Sequence, residues 1–104
     1  MIDKNKEKHF YIILGRIIRK IREESKYSLE KFSEVTELGL DKSTMSTIEN
    51  GKQRLSLYQL YLISKAIDVP VSKIILDIED VIKNSEEEDN LKLSEKDKFK
   101  IDNI

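Results

Sequence analysis

The eleven residues from Asp41 to Gly51, DKSTMSTIENG, constrain the fold more than any other stretch of the chain. They read as a very short helix with defined ends. Asp41 is a good N-cap, because its carboxylate can accept the orphan N–H groups of a first turn. Gly51 stands where a left-handed residue closes a helix. Met45 and Ile48 lie three apart and share a face with Leu40 just upstream, so they point inward. Lys42, Ser43, Ser46, Thr47 and Asn50 fall on the other side. So thin an apolar stripe cannot keep an isolated helix of this length folded. The remaining chain must grip one face and leave the other in water. Short polar side chains at the N-terminal end of a held helix suit insertion into the major groove of duplex DNA.

The flanking sequence supplies helices. From about Lys8 to Ser25 the apolar residues Phe10, Ile13, Leu14, Ile17, Ile18 and Ile21 are spaced three, one, three, one and three, which is one face of an α-helix. Gly15 interrupts it at a cost of about 1 kcal/mol against alanine, and a tight crossing with another helix would explain it. Ser28 caps a second helix with Leu29, Phe32, Val35 and Thr36 inside, and Ser33 is small enough to admit a close neighbour. Ser56 and Gln59 form a capping box for a fourth helix, its inner face Leu57, Leu60, Ile63 and Ile67. Asp68-Val69-Pro70 ends it, since residues before proline avoid the helical region. Ser72 is read as the cap of a fifth helix carrying Ile74, Ile75, Ile78, Val81 and Ile82. Its apolar circumference is wider than a monomer of this size can cover, which points to a partner surface.

The expectation is an all-α, five-helix domain over residues 9–83, with a flexible arm at 1–8 and an acidic tail at 84–104, disordered or weakly helical from Ser94. No strand pattern or internal repeat competes with it. The net charge of −1 hides an asymmetry: residues 1–76 carry 14 Lys/Arg and 10 Asp/Glu, residues 77–104 carry 5 and 10. A mildly basic body with an acidic tail is compatible with nucleic-acid binding without requiring it.

Other function classes are poorly provided for. There is no cysteine, hence no disulfide framework and no thiolate metal ligand or nucleophile. His9 is the single histidine and has no carboxylate or second histidine at ligand spacing, so it reads as a surface side chain. Neither a phosphate-cradling glycine loop nor paired carboxylates are evident, so no catalytic residues, metal site or cofactor are expected. No apolar run approaches 18 residues and no signal-peptide pattern is present, which predicts a cytoplasmic protein without membrane contact.

A short second and third helix joined by a turn is the helix-turn-helix arrangement. Residues 14–76 resemble the Cro/repressor-type, or Xre, family, with a lambda-repressor-like domain. The matching stretches are LGRIIRKIREES for helix one, YSLEKFSE for helix two, GLDKSTMSTIENGKQRLSL for the recognition helix and its exit, and LYLISKAIDVPVSKIIL for the closing helices. The resemblance implies that Lys42, Ser43, Ser46 and Thr47 face bases. Lysine can donate to guanine, hydroxyls can donate or accept, and a threonine methyl can meet thymine. It implies that Asn50, Lys52 and Arg54, with Thr44 and Ser28, grip the sugar-phosphate backbone. It also implies a structural ion pair between Arg22 and Glu49.

Two departures stand out. Leu29 occupies the position where relatives carry a phosphate-contacting glutamine. The turn before helix three also holds two extra residues, Glu37-Leu38, unless helix two runs half a turn further. The function implied is a sequence-specific, double-stranded DNA-binding transcriptional regulator, a repressor acting as a homodimer on a palindromic operator. The alternative is an antitoxin or a restriction-modification controller protein that holds a protein partner through residues 74–104. Tyr27 is read as core packing; Tyr58 and Tyr61 line either a dimer seam or the core.

Overall fold

Capping side chains open four of the five helices. The computed structural model describes residues 2–102, and for residues 87–102 the backbone alone. The helices are α1 (Lys4–Glu24), α2 (Leu29–Val35), α3 (Lys42–Glu49), α4 (Leu57–Ile67) and α5 (Val71–Asp102), and no strand occurs among the described residues. Asp3, Ser28, Asp41 and Ser56 are the N-caps of α1 to α4. At α4 the capping box is complete. Ser56 Oγ accepts from the Gln59 N–H at 3.1 Å, and Gln59 Oε1 accepts from the Ser56 N–H at 2.9 Å.

Three boundaries differ from the sequence expectation. Lys4 to Lys8 are not an arm: they form the first turns of α1, because Asp3 Oδ1 accepts from the Asn5 and Lys6 N–H groups at 2.9 and 3.2 Å. A polar segment without an apolar stripe gives no periodic signal, so only its cap announces it. Ser72 is not the cap of α5. The Pro70 carbonyl accepts from the Lys73 and Ile74 N–H groups, so the helix starts at Val71 and Ser72 lies inside its first turn. The break expected at Asn84 is absent, since α5 continues to Asp102 and takes in the segment from Ser94. Residues 71–102 contain no proline or glycine to stop it.

The core is one cluster: Ile13, Leu14 and Ile18 of α1, Phe32 of α2, Met45 and Ile48 of α3, Leu55, Leu60 and Ile63 around α4, and Ile74 and Ile78 of α5. Burying side chains of this size stabilises the fold by about 1.5–3 kcal/mol each. The inner face of α4 differs from expectation at its first residue. Leu57 is 76% exposed, whereas Leu55 in the preceding loop is buried in the core.

Gly15 explains the tight crossing of α1 on α3. A Cβ there would lie 2.4 Å from the Glu49 carbonyl oxygen and 2.7 Å from that of Ile48. Only glycine lets the two backbones approach this closely.

Candidate nucleic-acid interface

The third helix sits on α1 and α2 with its apolar residues downward. Met45, Ile48 and Glu49 are buried, Lys42 and Ser43 are exposed, and Ser46 and Thr47 are half-buried. This orientation puts all four residues expected to face bases on the outward side of α3, together with Asn50. Their hydrogen-bonding capacity is unequal. Thr47 Oγ1 donates to the Ser43 carbonyl at 2.8 Å, and Asn50 Nδ2 donates weakly to Ser46 Oγ at 3.4 Å. The Thr47 lone pairs and methyl, and the Ser46 hydroxyl proton with its remaining lone pair, stay available to a partner.

Both ends of α3 are fastened. Asp41 Oδ1 accepts from the Thr44 N–H at 2.7 Å. Hydrogen bonds from Thr44, its side chain first and its backbone second, hold the Asp41 carboxyl below its ordinary pKa. At the other end the N–H of Gly51 donates to the Ile48 carbonyl and that of Lys52 to the Thr47 carbonyl, both at 3.0 Å. Gly51 has a φ of 75°, and a Cβ on it would lie 2.6 Å from Ile12 Cα. Glycine is needed there both for the left-handed turn and for the contact with α1.

The underside is locked by charge. Arg22 Nε donates to Glu49 Oε2 at 2.7 Å and an Arg22 terminal nitrogen to Glu49 Oε1 at 3.0 Å, a two-pronged pair. The remaining guanidinium nitrogen donates to the Tyr27 carbonyl at 2.8 Å. Both side chains are largely buried. The hydrogen bond to Glu49 raises the Arg22 pKa above its ordinary value. One guanidinium therefore ties the end of α1, the α1–α2 turn and the end of α3 together.

The connection between α2 and α3 spans residues 36–41. Helix α2 stops at Val35, so the extra residues belong to the turn and not to a longer helix. Glu37 and Gly39 take left-handed φ values of 61° and 63°. The hydroxyl of Ser33, buried in α2, donates to the Leu40 carbonyl at 2.7 Å and accepts from its N–H at 2.8 Å. Ser33 is read from the sequence as a small residue that admits a neighbour; its hydroxyl also fixes the entry to α3. Leu29 is half-buried and packs against the core.

The residues expected to bind phosphate divide. Ser28, Lys52 and Asn50 are exposed and Thr44 half-exposed. Ser28 Oγ accepts from the Lys31 N–H at 3.0 Å, which keeps the first turn of α2 formed. Among the described residues Lys42 and Lys52 make no ion pair, whereas Arg54 pairs with Glu7 of α1. Sequence reasoning missed Glu7. It lies 47 residues away in a segment read as an arm, and no local pattern could connect the two.

Tyr58 and Tyr61 are not in the core. They are 67% and 51% exposed and stack with ring centroids 6.4 Å apart, beside Leu57 on α4. Leu76 and Val81 of α5 are exposed apolar residues as well. Tyr27 is half-buried against Phe32, with ring centroids 6.3 Å apart. Among the described residues no cluster of three His, Asp or Glu side chains could hold a metal ion, and no helix is long and apolar enough to cross a membrane.

A helix-turn-helix family model matches residues 18–74. The chain is 37% identical over 68 residues to the control protein C.MunI of a Mycoplasma species, a match that covers 65% of this chain and 90% of that protein. Among solved structures it is similar to the clp gene regulator ClgR of C. glutamicum, with a TM-score of 0.60 at 18% identity, covering 69% of this chain and 91% of that one. At that identity the likeness speaks to the fold alone.

Proposed function

The chain belongs to the Xre-type helix-turn-helix family of DNA-binding transcriptional regulators, and from that premise we propose that it is a sequence-specific repressor. It binds a palindromic operator as a homodimer, with α3 in the major groove. The observation that carries this reading is the division of α3 into a buried, ion-paired underside and an outward face of Lys42, Ser43, Ser46, Thr47 and Asn50. In this reading Lys42 donates to guanine, Ser43 and Ser46 offer hydroxyls to base edges, and Thr47 presents its methyl group. Lys52, Asn50, Thr44 and Ser28 touch phosphates and set register without reading sequence. Two recognition helices about 34 Å apart would span half-sites one turn apart. The exposed Leu57, Tyr58 and Tyr61 supply an apolar surface suited to self-association.

A second reading has a specific observation behind it. The relative C.MunI is a control protein, and Leu76 and Val81 leave apolar surface on α5. In that reading the chain is a controller or antitoxin that holds a protein partner through residues 74–104, and DNA binding serves autoregulation.

Selection from random duplexes at two salt concentrations tests the first reading, with wild type beside Lys42→Ala and Lys52→Ala. The expected result is a palindromic site, relaxed at one base position by Lys42→Ala and weakened for all sequences alike by Lys52→Ala. Weak binding with no enriched sequence would remove the repressor reading and leave the partner-binding one.

A further inference from the structure

The groove between the first turns of α1 and the loop leaving α3 brings together charges from two distant parts of the chain. Glu7, Lys8 and Tyr11 line one wall, and Asn50, Lys52 and Arg54 the other. The two walls are held in register by contact between backbones. Gly51 rests on Ile12 with no room for a Cβ, so the loop cannot slide along α1. Glu7 lies five residues before Ile12, on the same rigid helix. Leu55, buried directly after Arg54, anchors the far side of the loop. The packing of α1 on α3 therefore keeps Glu7 within reach of Arg54.

We propose that Glu7 is an attenuator of DNA affinity: it neutralises Arg54 at the phosphate-facing loop, so that Lys52 grips the backbone and Arg54 does not. This rests on the DNA-binding reading above. The charges of the groove support it. Lys8, Lys52 and Arg54 are cations and Glu7 is the single anion among its lining residues. Arg54 is 72% exposed and Glu7 22%, so the carboxylate sits deeper and the guanidinium caps it. If Arg54 turned to a phosphate, it would leave a carboxylate facing the same polyanion. Holding the pair intact removes one counterion-releasing contact from every DNA sequence equally. The outward face of α3 is untouched, so a larger share of the affinity comes from base contacts.

The experiment measures affinity for a selected duplex and a scrambled one, between 50 and 200 mM salt. It compares wild type, Lys52→Ala, Glu7→Gln, Arg54→Ala and the Glu7→Gln/Arg54→Ala double variant. Glu7→Gln is expected to tighten binding to both duplexes by a similar factor. It should also steepen the log–log salt slope by about 0.9, which is a roughly three- to four-fold larger loss across that range. In the Glu7→Gln/Arg54→Ala double variant the gain is expected to disappear and affinity to return close to wild type, whereas Lys52→Ala weakens binding to both duplexes. Thermal unfolding followed by circular dichroism, with Glu7→Ala as a second variant, separates a binding effect from a loss of the first turns of α1.

An unchanged or flatter slope in Glu7→Gln overturns the proposal. So does a gain that survives Arg54→Ala, or a double variant that binds as weakly as Lys52→Ala. If wild type binds duplex DNA and Lys52→Ala weakens it while Glu7→Gln does nothing, only this inference fails. If wild type binds neither duplex, the DNA-binding reading fails with it.

Discussion

Against α1, the recognition helix is held backbone to backbone; against α2, it is packed through side chains, and the six-residue connection is pinned by one serine hydroxyl. The α1 seam has no slack. Gly15 and Gly51 each sit where a single added carbon would overlap backbone atoms, and further along α1 Arg22 forms a buried pair with Glu49. The connection from α2 is open. Gly39 has nothing within 4 Å of where a Cβ would stand, and the link to α3 passes through the Ser33 hydroxyl and the Leu40 peptide groups. The difference assigns two jobs. The seam fixes where α3 lies, while the connection sets the angle at which it enters. A longer turn can be accommodated on the open side because the seam does not depend on it.

The largest effect that could break this comparison is removal of one member of the ion pair. Glu49→Ala is expected to destabilise the fold by about 3–5 kcal/mol, because Arg22 would be left charged and buried. Chemical denaturation measures it directly, and a loss below about 1 kcal/mol would show that the seam is held by shape alone.

The next effect compares two left-handed glycines. Gly39→Ala carries only the backbone penalty of about 1–2 kcal/mol. Gly51→Ala carries that penalty and the overlap with Ile12, about 1–3 kcal/mol more. Equal losses for the two variants in the same denaturation experiment would mean that α1 can yield, and the contrast between seam and turn would be lost.

The smallest effect concerns the entry to α3. The Asp41 carboxyl is held below its ordinary pKa by Thr44, so the folded state favours its ionised form. That contribution is fully present above the ordinary carboxylate value, near pH 4, and is lost as pH falls through the lower folded value. Asp41→Asn is expected to flatten the acid limb of the stability profile below about pH 4. A profile that superposes on wild type would remove Asp41 as an electrostatic contributor.

Much of this was legible in the chain because its signals are local. The three-one spacing from Phe10 to Ile21, the caps Ser28, Asp41 and Ser56, and the left-handed Gly51 depend on residues within a turn or two of each other. Gly15 signalled a tight crossing by its cost in mid-helix. The start of α1 escaped because Lys4 to Lys8 carry no apolar period, and Leu57 misled because its spacing fits a face that the core does not reach. Periodicity reports which face is apolar and is silent on where along the helix the core ends.

What the sequence determined by itself is the set of helices and the two-faced character of α3, since capping and helical period act within a few residues. What only the tertiary structure decided is what meets across long separations. Ser33 holds Leu40 in place, Gly51 seats on Ile12, and Glu7 reaches Arg54. Such pairings depend on how whole helices cross, and that is set by the packing of the shared core.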